Sequence, residues 1–109
     1  MTATVTTGRI WEGAFRAPRN AFAEAKGSIH DDATASRLGF RGGTVAGSVH
    51  MDQFVPALLE ALGEGWWTRG QISLYFTQAT VDGEPVRAVV KAEGDRARLS
   101  MFNEAGDLI

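Results

Sequence analysis

The sequence predicts an α+β domain in which an antiparallel sheet packs against a helical layer. The first observation is an apolar stripe with helical spacing in the middle of the chain, over residues 45–62. The second is an alternation of apolar and polar residues after residue 70, interrupted by turn-forming pairs, which is typical of antiparallel strands. A chain of 109 residues has the length of one domain with a modest core.

We expect one strand and two short helices before the central helical stretch. A weak alternation indicates a first strand over residues 10–15. An alanine-rich stretch, preceded by a proline and followed by a glycine, predicts a short helix over residues 19–26. Asp31 or Asp32 can cap a second short helix, which is expected to run to Leu38.

The central stretch is predicted to be the main helix of the domain. Its apolar residues recur at steps of four or five and form one stripe: Val45, Val49, Phe54, Leu58 and Leu62. Pro56 lies inside this stretch and lacks a backbone N–H, so we expect the helix to kink or split near residues 53–55. The glycines at 63 and 65 are expected to end it.

The last third of the chain is predicted to be an antiparallel meander. Three stretches alternate between apolar and polar residues: 72–77, 86–93 and 97–102. Turn-forming residues follow each of them: 82–83, 94–95 and 103–106. A last strand begins at Asp107 and has about three residues in this sequence. We therefore expect it to be incomplete and to leave an unpaired edge that a partner chain can cover.

The amino-acid composition argues against several classes of function. The formal net charge is −2 and the arginines are scattered, which argues against a nucleic-acid partner. Cysteine is absent, so a disulfide framework and a zinc–cysteine site are excluded. The apolar runs are too short to span a membrane. Residues 1–9 form a predicted N-terminal tail that lacks the order of a signal peptide, so we expect a cytoplasmic protein.

Residues 29–50 hold both histidines, two acids and a glycine-rich turn that leads into the main helix. This stretch resembles the MaoC-like family of R-specific enoyl-CoA hydratases. The matching residues are Ile29-His30, Asp32, Ala33 or Ala35, Leu38-Gly39-Phe40, Gly42-Gly43 and Gly47, with Phe22-Ala23 upstream.

The resemblance implies a hotdog fold, in which an antiparallel sheet wraps around a long central helix. Residues 10–109 are then one hotdog domain, and its last strand is the incomplete one. Two small hotdog domains generally associate so that the site lies at their interface. A homodimer or higher homo-oligomer is therefore implied as well. The implied ligand is a thioester of coenzyme A or of acyl carrier protein, which is a substrate, and no cofactor is expected.

In that family a loop supplies an aspartate and a histidine that act together on water or on a β-hydroxyl group. His30 stands at the histidine position, whereas Ala25 stands at the aspartate position. We therefore expect His30 to be the general base, because histidine ordinarily titrates near neutral pH. Asp32 is the second catalytic candidate; its alternative role, shared with Asp31, is to cap the helix that follows.

Five residues are predicted to contact the substrate: Gly43, Gly47, Ser48, His50 and Trp67. The N–H groups around Gly47 and Ser48, at the start of the main helix, are placed to bind the thioester oxygen. For His50 the alternative is a hydrogen-bonded contact inside the fold or at a subunit interface. Trp67 belongs to an aromatic cluster that either lines an acyl pocket or forms a core or dimer contact. No metal site is expected, since the spacing of the histidines and acids does not demand one.

The favoured function is therefore a hydratase or dehydratase of acyl thioesters, and two alternatives stay open. An acyl-CoA thioesterase needs a carboxylate on or near the central helix, where Asp52 and Glu60 are the acids available. A non-catalytic domain that binds acyl groups or other small ligands needs no acid, and Ala25 favours it.

Overall fold

Three antiparallel strands and four short helices make up the structure, a computed structural model in which residues 8–109 are described. The strands are β1 (Ile10–Glu12), β2 (Val86–Glu93) and β3 (Arg96–Asn103), and they lie side by side in that order. The helices are α1 (Asp32–Arg37), α2 (Gly47–Asp52), α3 (Val55–Leu62) and α4 (Trp66–Arg69). The predicted α+β class with an antiparallel sheet is confirmed.

Strands β2 and β3 form a regular hairpin, as the sequence predicts. Their register runs from Val86 opposite Asn103 to Glu93 opposite Arg96. Gly94 takes a φ of +67° in the connecting turn, a conformation that glycine adopts without steric cost. Alternate residues of β2 are buried, so one face of the hairpin lies on the core.

The sheet continues along the other edge of β2, where β1 pairs with it from Ile10 opposite Lys91 onward. The amide of Gly8 already donates to the carbonyl of Ala92 at 2.8 Å. The predicted tail over residues 1–9 therefore reaches the sheet at its C-terminal end, and its first seven residues lie outside the described part of the chain.

The core lies where α3 packs on β2 and β3. An amphipathic α3 supplies one side and the inward face of the hairpin supplies the other. The buried core residues are Phe54, Leu58, Val86, Ala88, Val90, Met101 and Ile109.

The central helical stretch is split in two, as Pro56 predicts. Gln53 and Phe54 separate α2 from α3, and Pro56 lies in the first turn of α3, where its missing N–H costs no hydrogen bond. Over residues 8–109 the expected single long central helix is thus replaced by helices of six and eight residues. None of the described helices is long and apolar enough to cross a bilayer.

The helix predicted over residues 19–26 is wrong, because this segment forms a series of turns. The amide of Ala25 donates to Phe22 at 2.9 Å, which is three-residue turn bonding. Asn20 holds the segment against other loops: its backbone amide donates to Asp82 at 2.6 Å and its side chain donates to the carbonyl of His30 at 2.8 Å. These long-range contacts outweigh the weak helical preference of a short alanine-rich stretch.

The strand predicted over residues 72–77 is also wrong, since this segment has no regular secondary structure. Its amide at Thr77 donates to the carbonyl of Ile109 at 3.0 Å. Residues 107–109 pair with β3 through a bridge between Phe102 and Leu108. An alternating pattern becomes a strand only where a neighbouring strand supplies hydrogen bonds, and the pairing here stops at Ile109.

Candidate functional site

A cavity of about 330 Å³ brings both histidines of the chain to one place. It lies against the first turn of α2 and is closed on the other side by residues 76–80. Its polar lining residues are His30, Thr44, His50, Thr77, Gln78 and Thr80. A largely apolar cavity with a few polar groups, including a titratable pair, is the common form of a small-molecule site.

His30 is held in one orientation by the backbone of Thr44. Its Nδ1 lies 2.7 Å from the carbonyl oxygen of Thr44. Because a carbonyl oxygen only accepts, this contact assigns the proton to Nδ1 and leaves a lone pair on Nε2. The half-buried ring also lies beside Phe22, with 5.7 Å between the ring centroids. The sequence-predicted general base thus lines the cavity with one basic nitrogen uncommitted.

The loop that carries His30 is fixed by Gly43. The amide of Gly43 donates to Oδ1 of Asp32 at 2.7 Å. A Cβ at Gly43 would collide with the carbonyl oxygen of His30 and would lie 2.8 Å from Nδ2 of Asn20. Neither Gly43 nor Asp32 lines the cavity. In this arrangement both residues position His30, whereas the sequence predicts that Asp32 is catalytic and that Gly43 contacts the substrate.

Asp31 caps α1, which confirms one of the two roles proposed for the acid pair. Its carboxylate accepts from the hydroxyl of Thr34 at 2.9 Å and from the amide of the same residue at 3.3 Å. The hydroxyl contact is the largest cause that lowers the pKa of Asp31 below its ordinary 3.8, and the ammonium group of Lys26 adds to it. The carboxylate therefore stays ionised where the N-terminal end of the helix favours negative charge.

His50 lies at the inner wall of the cavity and is only 2% exposed. Its Nε2 lies 2.6 Å from the hydroxyl of Thr80, while Nδ1 has no hydrogen-bond partner among the described residues. Burial lowers the pKa of His50 from its ordinary 6.5, and the negative charge of Glu84 opposes this only in part. The ring is therefore neutral near neutral pH.

Gly47 begins α2 and allows the ring of Phe76 to close over the cavity. A Cβ at Gly47 would lie 2.8 Å from Cε2 of Phe76, so the close approach depends on glycine. Ser48 is exposed and does not line the cavity. Trp67 lies on α4 and is 61% exposed, with its ring against Trp66 at 5.3 Å, so the structure does not bring it to the histidines.

The lining of the cavity carries no carboxylate among residues 8–109. Asp52 and Glu60, the two acids of the central helical stretch, are exposed and lie outside it. In the described part of the chain no group of three histidine, aspartate or glutamate side chains is arranged to hold a metal ion. The chemistry available in the cavity is therefore that of two histidines, three threonines, one glutamine and the backbone.

Two residues of the site escape sequence reasoning. Thr44 supplies the carbonyl that orients His30, and Thr80 holds His50. A backbone carbonyl carries no residue signature, and the pair of His50 and Thr80 is 30 residues apart. Phe76 belongs to the same predicted aromatic cluster as Trp67, and of the two only Phe76 lines the cavity.

Comparison with known proteins gives no family for this chain. No family model matches it, and no curated protein matches it either. The functional argument therefore depends on the cavity and on the residues that line it.

Proposed function

We propose that this protein is a hydratase or dehydratase of short acyl thioesters, with a hotdog-like architecture and His30 as its general base. The observation that carries the proposal is the free Nε2 of His30, which lines the cavity while Nδ1 is committed to the carbonyl of Thr44. A general base needs an uncommitted lone pair at a site where substrate and water can meet. A cavity of about 330 Å³ suits a short acyl chain.

The reaction proposed for His30 is the addition of water across a conjugated double bond. Nε2 takes a proton from water while the water oxygen bonds to the β-carbon, and the π electrons move toward the thioester carbonyl. The resulting enolate takes the proton back from Nε2 at the α-carbon. One histidine can serve both steps, which suits a cavity whose described lining has no carboxylate.

The growing negative charge on the thioester oxygen needs donors on the opposite wall. The amide of Gly47, in the cavity lining at the start of α2, is the candidate donor. A neutral donor in a buried position is more effective than the same group in water.

The test is a spectrophotometric assay of crotonyl-CoA hydration, followed by longer enoyl-CoA substrates, on the wild type and on His30→Gln. We expect His30→Gln to lower kcat by about 10²- to 10⁴-fold, because the amide lacks a basic nitrogen. Ser48→Ala, an exposed change outside the cavity, should keep wild-type kcat and KM. Circular dichroism confirms that each variant is folded. Unchanged turnover in His30→Gln, or none in the wild type with any chain length, contradicts the proposal.

A non-catalytic domain that binds acyl thioesters is the second candidate, and the lack of a lining carboxylate favours it. Such a domain should gain thermal stability from crotonyl-CoA without consuming it, since a ligand that binds only the folded state raises Tm. The thioesterase alternative has less support, because Asp52 and Glu60 lie outside the cavity. The homodimer implied by the resemblance stays part of the proposal.

A further inference from the structure

A polar cavity of about 450 Å³ adjoins the histidine cavity, and it lies between residues 39–44, residues 78–84 and the turn after β3. Phe40, Thr44, Gln78 and Ala79 line both cavities, so the two are neighbours. Thr44 is buried, whereas Phe40 and Gln78 are exposed. The partition between the cavities thus includes exposed side chains at the surface, and a ligand can lie across it with one end in each cavity.

The wall shared by the two cavities is held by backbone pairing between the two segments that form it. Thr44 and Val81 make an antiparallel bridge. Next to this bridge, the amide of Val45 donates to the carbonyl of Thr80 at 2.9 Å. The position of one cavity relative to the other is therefore set before a ligand binds, which lowers the entropic cost of binding a ligand that spans both.

Two of the charged residues in the polar cavity neutralise each other. Nη2 of Arg41 donates to the two carboxylate oxygens of Glu84 at 2.7 and 3.0 Å, and also to the carbonyl of Ala79 at 3.3 Å. The hydrogen bond to Glu84, and then its negative charge, raise the pKa of Arg41, so the guanidinium stays charged and committed to this pair. Among residues 8–109 the other charged residue in the lining is Asp107, which forms no ion pair with them.

Asp107 is oriented by the turn that follows β3. Its Oδ2 accepts from Nδ2 of Asn103 at 3.2 Å, and its amide donates to Oδ1 of Asn103 at 2.9 Å. The residue is exposed, so its carboxylate can accept further hydrogen bonds from a ligand. The same cavity offers the side-chain oxygen of Gln78 and the aromatic ring of Phe40, a combination that suits an organic cation. A divalent metal ion needs more oxygen ligands than one carboxylate supplies.

We propose that the two cavities form one substrate site, in which the polar cavity binds a primary ammonium group at the far end of the acyl chain. This inference rests on the proposed function, because it places the reacting double bond beside His30 in the histidine cavity. The ammonium group then donates to Asp107, and the methylene groups between the two ends lie over Thr44 and Ala79. The substrate class is thus acyl thioesters whose chain ends in an amine.

The first test is isothermal titration calorimetry of the full chain with saturated thioesters of N-acetylcysteamine, which the proposed reaction cannot consume. The 6-aminohexanoyl thioester should bind about fivefold more tightly than the 6-hydroxyhexanoyl thioester, which has the same length and an uncharged polar end. High salt should reduce this preference, because it screens the attraction between exposed charges. No preference for the amine at any chain length from six to ten carbons overturns the proposal.

The second test locates the ammonium group in the protein. Asp107→Asn removes the charge but keeps an oxygen that can accept from Asn103, so this variant should fold and should lose the preference for the amine. Asp95→Asn is the matched control: it makes the same charge change in the turn between β2 and β3, outside both cavities, and should keep the preference. Equal loss in both variants, or a preference that persists in Asp107→Asn, contradicts binding at Asp107.

Calorimetry needs no turnover, so failure of this proposal and failure of the proposed function give different results. Hydration of crotonyl-CoA without an amine preference overturns the ammonium site and leaves the proposed function standing. An amine preference that Asp107→Asn removes, without hydration of any enoyl thioester, supports the ammonium site and contradicts the hydratase. If both proposals hold, the amine should raise kcat/KM for six-carbon enoyl thioesters through KM, because Asp107 lies away from the reacting atoms.

Discussion

At the level of single residues, the reactivity of His30 depends on the backbone of a residue fourteen positions away. The carbonyl of Thr44 holds Nδ1, so only Nε2 can exchange protons with a ligand. The loop that brings this carbonyl into place turns at Gly43, which touches both the carbonyl of His30 and the carboxylate of Asp32. The orientation of His30 thus depends on a glycine that does not line the cavity.

This dependence predicts the effect of Gly43→Ala. The new Cβ would meet a backbone carbonyl that cannot rotate away, so we expect a loss of about 1–3 kcal/mol in the free energy of unfolding and a lower kcat. Gly42→Ala is the matched control, because its Cβ finds its nearest neighbour at 3.4 Å, an ordinary contact. Urea denaturation and the crotonyl-CoA assay measure both effects. Equal stability of the two variants would contradict the prediction.

His50 predicts a pH dependence of stability. Burial lowers its pKa from 6.5 in the folded chain, so the unfolded chain binds the proton more readily. The free energy of unfolding should therefore fall as the pH decreases from 6.5 toward the folded-state pKa, and it should be insensitive to this group above 6.5.

The measurement is urea denaturation at about pH 7.5 and at about pH 5, on the wild type and on His50→Gln, which keeps a side-chain partner for Thr80 but does not titrate. The variant should lose less stability than the wild type between these two values. A wild type and a variant with the same pH slope would show that His50 does not carry the dependence.

At the level of elements, the sequence predicts a helix or strand correctly where the contacts that stabilise it come from residues nearby in the chain. The hairpin of β2 and β3 is made of adjacent alternating stretches around a turn with a positive-φ glycine, and the sequence predicts all of it. Asp31 caps α1 from within its own first turn. Pro56 divides the central stretch by chemistry that is visible in one residue.

Prediction from the sequence failed where the structure of a segment depends on contacts with residues far away in the chain. Residues 72–77 alternate between apolar and polar side chains as regularly as β2 does. A strand forms only against a neighbouring strand, however, and backbone pairing reaches this segment at Thr77 alone. Residues 19–26 have helix formers, but Asn20 ties them to Asp82 and to His30. For the site, sequence reasoning found both histidines and the aromatic cluster to which Phe76 belongs, whereas Thr44 and Thr80 join them through folding alone.

At the level of the whole molecule, the fold is a thin slab of 55 × 30 × 18 Å. Its Cα radius of gyration is 15.7 Å, against about 13 Å for a compact domain of this length. One layer of helices on three strands gives this shape, and the irregular segment over residues 72–77 contributes lining to the histidine cavity and to another cavity beside β3. The two cavities are therefore neighbours.

Phe76 lines both of these cavities. If a ligand in the cavity beside β3 fixes this ring, the conformational entropy of ordering the ring is already lost before an acyl thioester binds, and the thioester binds more tightly. Thermodynamic linkage then requires the converse: saturating thioester must raise the affinity for that second ligand by the same factor. Titration of each ligand in the presence of the other closes this cycle, and two unequal factors would exclude the coupling. Through this one aromatic ring, each of two such ligands would act as an effector of the other.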